Sequence, residues 1–211
     1  MQSFAMIPTA EQIDDNIFRV YFSGRNELNQ SHIGYTDMEV SKGNIEVLSY
    51  SRKPILSPGD LGCFDDSGVT PSSIVNINNK KHLYYIGWRS TSSVRMELVA
   101  GLAVSIDGVN FERHSKVPIL HRSDNEPISI LTAPFVLQDN DIFKMWYVSG
   151  ICWVHKDLPQ YDIKYAESND GINWHQTGKI AIALNEGENA LARPFVIKEN
   201  DLYKMWFSYK K

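Results

Sequence analysis

Four segments of this chain begin with a proline at nearly constant intervals, and this internal repeat constrains the fold more than any other feature. The prolines are at positions 8, 71, 134 and 194, so successive segments begin 63, 63 and 60 residues apart. The two best-matched copies, residues 132–150 and 192–210, share Pro-Phe-Val, Asn-Asp and Lys-Met-Trp in that order. Repetition at a period of this length predicts one supersecondary unit used several times, with neighbouring units burying a continuous core.

A second motif recurs with the same step. Ser-Ile-Asp-Gly-Val-Asn-Phe at 105–111 aligns with Ser-Asn-Asp-Gly-Ile-Asn-Trp at 168–174. Adjacent Asp and Gly favour a tight turn, and use of the same motif in successive units indicates a packing role. We therefore expect the aspartates of this motif to tie turns and its aromatic residues to pack between units. These residues are Asp107, Asp170, Phe111 and Trp174.

The segments within each unit are typical of β-strands. A short apolar run follows each proline, then a polar turn, then an aromatic-rich run such as Ile-Phe-Lys-Met-Trp-Tyr-Val. Because helical periodicity is missing and each repeat holds four strands, the sequence predicts an all-β propeller. We treat residues 1–211 as a single propeller domain with blades beginning near residues 7, 70, 133 and 193.

The fourth repeat has sequence for two strands only, so the chain supplies about three and a half blades of an incomplete ring. An open ring leaves strand edges and an apolar flank exposed. We expect this chain to be a fragment whose missing C-terminal blades close the ring, and the alternative is a partner that closes it.

Composition argues against several other classes of partner. A net charge of −4 argues against nucleic acid, since phosphate binders concentrate positive charge. Neither an apolar run of about 18 residues nor a secretory signal is seen, so we expect a cytoplasmic protein without a membrane partner. Cys152 and His155 have a spacing that suits two metal ligands, but no second pair accompanies them. We expect no metal and no cofactor.

The motifs resemble those of a known superfamily. Pro-Phe-Val, Lys-Met-Trp-Tyr and Tyr-Ala-Glu-Ser-Asn-Asp-Gly-Ile-Asn-Trp, the last at 165–174, resemble blade motifs of the arabinanase, fructosidase and levansucrase propellers. The resemblance implies a propeller of the five-bladed type. More narrowly, the chain looks like the glycosidase-like proteins often found with bacterial polysaccharide biosynthesis genes. The resemblance covers nearly the whole chain. It implies a carbohydrate ligand in an axial funnel, lined where the innermost strands begin, and carboxylates that donate protons and activate water or attack directly.

Candidates for these carboxylates precede the blade prolines. We assign Asp66, Glu126 and Glu188 as candidate catalytic residues, with Asp65 as a neighbouring substrate-binding candidate. A turn cap or a solvated loop is the structural alternative for the aspartate pair. The first blade has no acid before Pro8, where the superfamily often places its base, and this departure weighs against hydrolysis.

The remaining candidates for substrate binding stand at the axis or break the repeat. Arg193 directly precedes Pro194, and its planar guanidinium suits a carboxylate, a phosphate or paired sugar hydroxyls. An ion pair with Glu188 is the alternative. A Trp can stack on a sugar ring, although Trp146 and Trp206 lie within the repeated Lys-Met-Trp and are expected to pack between blades. The other candidates are Arg25, Trp88, Arg89, Trp153 and His155.

Two functions therefore remain open. The first is a glycoside hydrolase-like protein that acts on a glycan or a sugar conjugate in bacterial polysaccharide metabolism. The second is a non-catalytic propeller that binds carbohydrate or serves as a scaffold. The position of the three acids separates them, because hydrolysis needs a carboxylate pair about 5 to 9.5 Å apart facing one cavity.

Overall fold

The computed structural model describes residues 3–211, which form strands, turns and loops. Blade one contains β1 (Ser3–Asp14), β2 (Ile17–Arg25), β3 (Ser31–Ser41) and β4 (Asn44–Tyr50). Blade two contains β5 (Gly68–Ile77), β6 (Lys80–Ser90), β7 (Met96–Ser105) and β8 (Glu112–Arg113). Blade three contains β9 (Ile130–Asp139), β10 (Ile142–His155), β11 (Leu158–Ser168) and β12 (His175–Ile182). The fourth unit contains β13 (Ala190–Glu199) and β14 (Leu202–Lys210). No helix that could cross a bilayer occurs among these residues.

Consecutive strands within each blade pair antiparallel, and each blade meets the next through a short parallel pairing. These pairings join β3 to β5, β7 to β9 and β11 to β13. The path of paired strands runs from β1 to β14 without closing on itself in the described part of the chain. The predicted all-β propeller with an incomplete ring is therefore confirmed.

The hydrophobic core lies between neighbouring blades, because each sheet buries a face against the next. The blade one–two cluster includes Tyr21, Ile33, Val69 and Leu83. The blade two–three cluster includes Tyr84, Leu102, Leu131 and Met145. The third cluster joins β10 and β11 to the last two strands through Trp146, Ile163, Leu191 and Val196. At the open end, β14 exposes Leu202, Trp206, Phe207 and Tyr209, an apolar flank of the kind that an adjacent blade covers in a closed ring.

The repeated Asp-Gly motif forms the predicted turn in both copies. The carboxylate of Asp107 accepts hydrogen bonds from the N–H groups of Asn110 at 2.7 Å and Val109 at 2.8 Å, and from the Ser105 hydroxyl at 2.8 Å. Asp170 repeats these contacts with the corresponding residues of blade three. Hydrogen bonds from the Asn110 and Val109 backbone hold the pKa of Asp107 below its ordinary value, because they favour the ionised form.

The aromatic residues of the same motif pack against the preceding blade, as predicted. Phe111 meets Tyr21 edge to face with ring centres 5.8 Å apart, and Trp174 meets Tyr84 in the same way at 6.2 Å. Trp146, of the repeated Lys-Met-Trp, is buried, and its ring centre lies 5.8 Å from that of Tyr203 in the fourth unit. The Asp-Gly motif therefore fixes the position of each blade relative to the preceding one.

Candidate functional site

A cavity of about 360 Å³ opens where the innermost strands of blades one and two begin. Blade one contributes Met6, Ile7, Arg25, Asn29 and Ser31 to its lining, and blade two with its entry loop contributes Ser67, Thr70, Trp88, Arg89, Ser90, Arg95 and Met96. Among the described residues, the lining includes three arginines and no carboxylate. A larger groove of about 680 Å³ lies at the other end of β6, next to the Asp-Gly turn of blade two. We take the cavity at the strand starts as the candidate site, since the sequence motifs led us to expect a ligand at this end of the innermost strands.

Strand pairing explains why distant residues meet at this cavity. Arg25 pairs with Ser31, Ser31 pairs with Gly68, and Gly68 pairs with Trp88. These residues form one transverse row over four strands, so the main chains of Arg25 and Trp88 are about 14 Å apart along the sheet. A Cβ atom on Gly68 would lie 2.4 Å from Ser31 Oγ. The absence of a side chain at Gly68 therefore allows blades one and two to approach closely beside the cavity.

Trp88 is the aromatic side chain of the site. Its indole N–H donates a hydrogen bond of 3.1 Å to the hydroxyl of Thr70, and its ring is half-buried. The ring packs with Met96 and Trp153 against a buried cluster that includes Ile130. Because its polar edge is satisfied and its body is packed, Trp88 is held in one orientation, which suits stacking on a ligand ring.

Among the described residues, only one of the three arginines, Arg89, has an acidic partner. Arg25 Nη1 donates to Asn29 Oδ1 at 2.6 Å, while its buried Nε has no hydrogen-bond partner among residues 3–211. Arg89 Nη1 lies 3.5 Å from Glu97, and both side chains are partly exposed. Arg95 forms no ion pair within the described part of the chain. The predicted binding residues Arg25, Trp88 and Arg89 are therefore brought together at one cavity, and Arg95 joins them.

Asp66 and Asp65 lie behind this cavity in the loop that enters blade two. The Asp66 carboxylate accepts hydrogen bonds from the Gly62 N–H at 3.0 Å and from the Ser67 hydroxyl at 2.9 Å, so it caps the loop. Asp65 is 1% exposed and accepts from Tyr85 at 2.9 Å and from Arg113 at 2.8 Å. Neither carboxylate contributes to the lining.

Glu126 occupies the corresponding place in the loop that enters blade three. It is 1% exposed, and its carboxylate accepts hydrogen bonds from Tyr147 at 2.9 and 3.0 Å and from Ser149 at 2.9 Å. Gln176 donates at 3.3 Å, and the Lys164 ammonium lies 3.6 Å away. A Tyr of the second strand and a side chain of the outer strand hold the carboxylate, as they do for Asp65. The matching contacts indicate that both acids anchor their entry loops.

Glu188 and Arg193 lie near the start of β13. The Glu188 carboxylate accepts hydrogen bonds from the main-chain N–H of Asn185 at 2.8 Å and from the side-chain amide of Asn185 at 3.1 Å. Glu188 therefore caps a turn. Arg193 forms no ion pair with Glu188; its Nη2 instead donates to the carbonyl oxygen of Pro8 at 3.0 Å. Burial lowers the pKa of the Arg193 guanidinium from its ordinary value. Arg193 therefore links the fourth unit to the first, next to Ile7 of the cavity lining.

Backbone strain marks the same region. Ile7, Ala133 and Arg193 directly precede blade prolines and have φ angles of 56°, 47° and 53°, in the left-handed region. Such conformations are unfavourable for residues with a side chain, most of all for a β-branched one, and they concentrate at functional sites. The three positions coincide with register shifts near the start of β1, β9 and β13, so the strain belongs to a bulge that these units repeat.

Trp153 and His155 lie on the extended β10–β11 hairpin of blade three. Trp153 packs on the same cluster as Trp88, whereas His155 is exposed near the hairpin end, where its Nδ1 accepts from the Asp157 N–H at 3.2 Å. The Arg95 N–H donates to the Lys156 carbonyl at 2.8 Å. The hairpin thus supports the cavity from behind and positions Arg95.

Several features of the site have no signal in the repeat. Arg95 and Met96 lie at the β6–β7 turn, and Asn29 lies at the β2–β3 turn, where the copies do not align.

A buried carboxylate, Asp162 of β11, lies outside the cavity lining. Its Oδ1 has no partner in the part of the chain described, and burial raises its pKa. No group of three or more His, Cys, Asp or Glu residues suited to a metal ion occurs between residues 3 and 211.

Solved structures share this fold. An α-L-arabinanase from Cellvibrio cellulosa complexed with arabinohexaose aligns with a TM-score of 0.66 and 15% identity, over 97% of this chain and 68% of the other. A variant of the Bombyx mori GH32 beta-fructofuranosidase in complex with sucrose aligns with a TM-score of 0.67 and 20% identity, over 97% of this chain and 41% of the other. The chain therefore has the fold of these five-bladed propellers, with an incomplete ring, as the motifs predicted.

Sequence comparison gives a closer relationship. No model of a known protein family matches the sequence. The uncharacterized protein Rv1502 of Mycobacterium tuberculosis is 38% identical over 208 residues, which cover 98% of this chain and 69% of that protein. The relationship spans all three full blades and both strands of the fourth unit. The chain belongs to the same family as this mycobacterial protein.

Proposed function

We propose that this chain is a glycosidase-like propeller that binds carbohydrate in the cavity between blades one and two. The observation that carries the proposal is the lining itself, where Trp88 lies among hydroxyl, amide and guanidinium groups. Carbohydrate sites combine an aromatic ring for the apolar face of the sugar with a few fixed polar groups for its hydroxyls. Here the polar groups include Asn29, Ser31 and Ser90.

The complexes of the structural neighbours support this class of ligand. The arabinanase is complexed with arabinohexaose and the fructofuranosidase with sucrose. Since the sequence motifs resemble those of proteins found with polysaccharide biosynthesis genes, we propose a bacterial polysaccharide or one of its precursors as the source of the ligand.

Binding is better supported than hydrolysis. Glycosidases use two carboxylates about 5 to 9.5 Å apart on either side of the scissile bond. Glu126 is buried under Tyr147 and Ser149, and Glu188 caps a turn. Asp66 remains as the candidate for a catalytic role, since it is half-buried and adjacent to Ser67 of the lining. Hydrolysis with Asp66 as the acid or base is therefore the second candidate function.

A glycan array followed by calorimetry tests the proposal. The array identifies ligands, and the strongest is titrated into the wild type, Trp88→Ala and the control Trp206→Ala, whose ring lies on β14 away from the cavity. We expect Trp88→Ala to weaken binding by about 3- to 10-fold, since stacking on an aromatic ring contributes about 0.5–1.5 kcal/mol beyond the area that it buries. Trp206→Ala should bind like the wild type.

The proposal fails if Trp88→Ala binds at full strength or if no glycan binds. Release of reducing sugar from the same ligands, compared between wild type and Asp66→Asn, tests the second candidate. Turnover that Asp66→Asn abolishes supports hydrolysis, and turnover that is absent or unchanged excludes a catalytic Asp66.

A further inference from the structure

We propose that the ligand of this cavity is an acidic saccharide, and that Arg25, Arg89 and Arg95 bind its carboxylate or phosphate group. This inference rests on the proposed function and adds the chemical class of the ligand. The three guanidinium groups line one cavity together with Trp88, and no carboxylate of the described residues lines it with them. Because the whole chain carries a net charge of −4, this local excess of positive charge contrasts with the rest of the protein.

The hydrogen bonds and ion pairs of each arginine leave room for an anionic ligand. Arginines removed from solvent are normally paired with a carboxylate or fully hydrogen-bonded. Arg25 is half-buried, has one bond to the neutral amide of Asn29 and keeps a buried Nε without a partner in the described part of the chain. An oxyanion in the cavity would supply the negative charge that the described lining residues lack.

The other two arginines are also available to a ligand. Arg89 is paired with Glu97 at 3.5 Å, and the side chains are 45% and 32% exposed, so the pair is weak and can be exchanged for a ligand contact. Arg95 is exposed and forms no ion pair among residues 3–211. Its main chain is nevertheless fixed by the bond of its N–H to the Lys156 carbonyl, so the side chain projects from an ordered turn.

The arrangement also indicates how the ligand lies. Arg25 lies in the same transverse row of the sheet as Trp88, and Arg89 and Arg95 line the same cavity. A sugar ring stacked on Trp88 therefore has guanidinium groups within reach of its substituents. Guanidinium groups form paired hydrogen bonds to carboxylates and phosphates that they cannot form to single hydroxyls. A uronic acid and a sugar phosphate share this chemistry, and separate probes distinguish them.

The anion contact can be tested without knowing the sugar. Inorganic phosphate, D-glucuronate and neutral D-glucose are titrated into ¹⁵N-labelled full-length chain while the arginine Nε–Hε signals are recorded. We expect saturable shifts with the two anions and none with glucose, and we expect the shifts to shrink as sodium chloride is raised. Arg89→Gln/Arg95→Gln should reduce the anion affinity at least about 5-fold, whereas the exposed Arg122→Gln, which lies outside this cavity, should leave it unchanged. The relative affinities for phosphate and glucuronate identify which anion the site prefers.

Failure of the inference is distinct from failure of the proposed function. If glycan binding depends on Trp88 but does not change with salt or in Arg89→Gln/Arg95→Gln, the cavity is a carbohydrate site and the proposal of an acidic ligand is wrong. The absence of saturable anion shifts at millimolar concentrations also overturns it. A glycan that binds independently of Trp88 overturns the proposed function instead.

Discussion

The hydroxyl of Tyr84 in blade two donates a hydrogen bond of 2.7 Å to the carbonyl oxygen of Gly171 in the turn of blade three. Tyr21 of blade one makes the equivalent bond, at 3.1 Å, to Gly108 of blade two. The two donors are each 87 residues before their acceptors. The repeat in the sequence is therefore reproduced as a repeated contact between blades.

Replacing these two tyrosines should have unequal effects. Tyr84→Phe leaves the buried Gly171 carbonyl without this donor, and we expect it to lower the free energy of unfolding by about 1–3 kcal/mol. Tyr21→Phe should lower it less, since the Gly108 carbonyl also accepts from Arg19 at 3.2 Å. Urea denaturation of the two variants checks the order, and a larger loss for Tyr21→Phe would contradict it.

Gly68 should be sensitive to a single methyl group. The Cβ of Gly68→Ala would meet Ser31 Oγ at 2.4 Å and the Ser31 main-chain nitrogen at 3.1 Å. We expect a loss of about 1–3 kcal/mol in unfolding free energy, because a strand pairing beside the cavity must shift. Gly43→Ala is the matched control, since no atom lies within 4 Å of its added Cβ and only its φ of 83° is unfavourable. Equal losses for both variants would show that contact with Ser31 is unimportant.

Glu126 should affect stability and not ligand affinity. Glu126→Gln removes the charge facing Lys164 in a buried site and replaces one acceptor of the Tyr147 and Ser149 hydroxyls by a donor. Removing one partner of a buried ion pair costs about 3–5 kcal/mol of unfolding free energy. We expect Glu126→Gln to lower the unfolding free energy by no more than this. Denaturation and glycan titration of one protein sample separate the two effects. A variant that is as stable as the wild type but has lost turnover would instead assign Glu126 to catalysis.

Asp162 should make the protein less stable as the pH rises. Burial raises the pKa of this carboxyl above 3.8, so the folded state favours its neutral form. That contribution is fully present below the unfolded pKa and is lost as the pH rises through the folded value. Asp162→Asn should therefore gain stability relative to the wild type as the pH increases from about 3.5 to 7. Urea denaturation along this series checks the sign, and a constant difference between the two proteins would contradict the ionisation of Asp162.

The fold was accessible from the sequence because packing between blades repeats. Phe111 and Trp174 occupy equivalent positions against Tyr21 and Tyr84, so one contact predicted the other. The same repeat predicts the strand starts, the turns and the open ring, since each blade must bury an apolar face against its neighbour.

The site was accessible only in part, because it is built where the copies differ. Trp88 and Trp153 stood out as departures from the repeat, but only Trp88 lines the cavity. Arg95 lies in a turn whose position depends on the hairpin of blade three, a contact that no local pattern encodes. For the acids, spacing from the prolines does not reveal burial: Glu126 and Glu188 precede theirs by eight and six residues, yet one is enclosed and the other caps a turn.

The most direct test of the account is the indole N–H signal of Trp88 during titration with the strongest glycan from the array. The signal is assigned by its loss in Trp88→Phe. If the cavity between blades one and two is the carbohydrate site, this signal shifts and saturates at the affinity measured by calorimetry, while the Trp206 signal stays in place. Saturation of binding with no change at Trp88 would contradict the account.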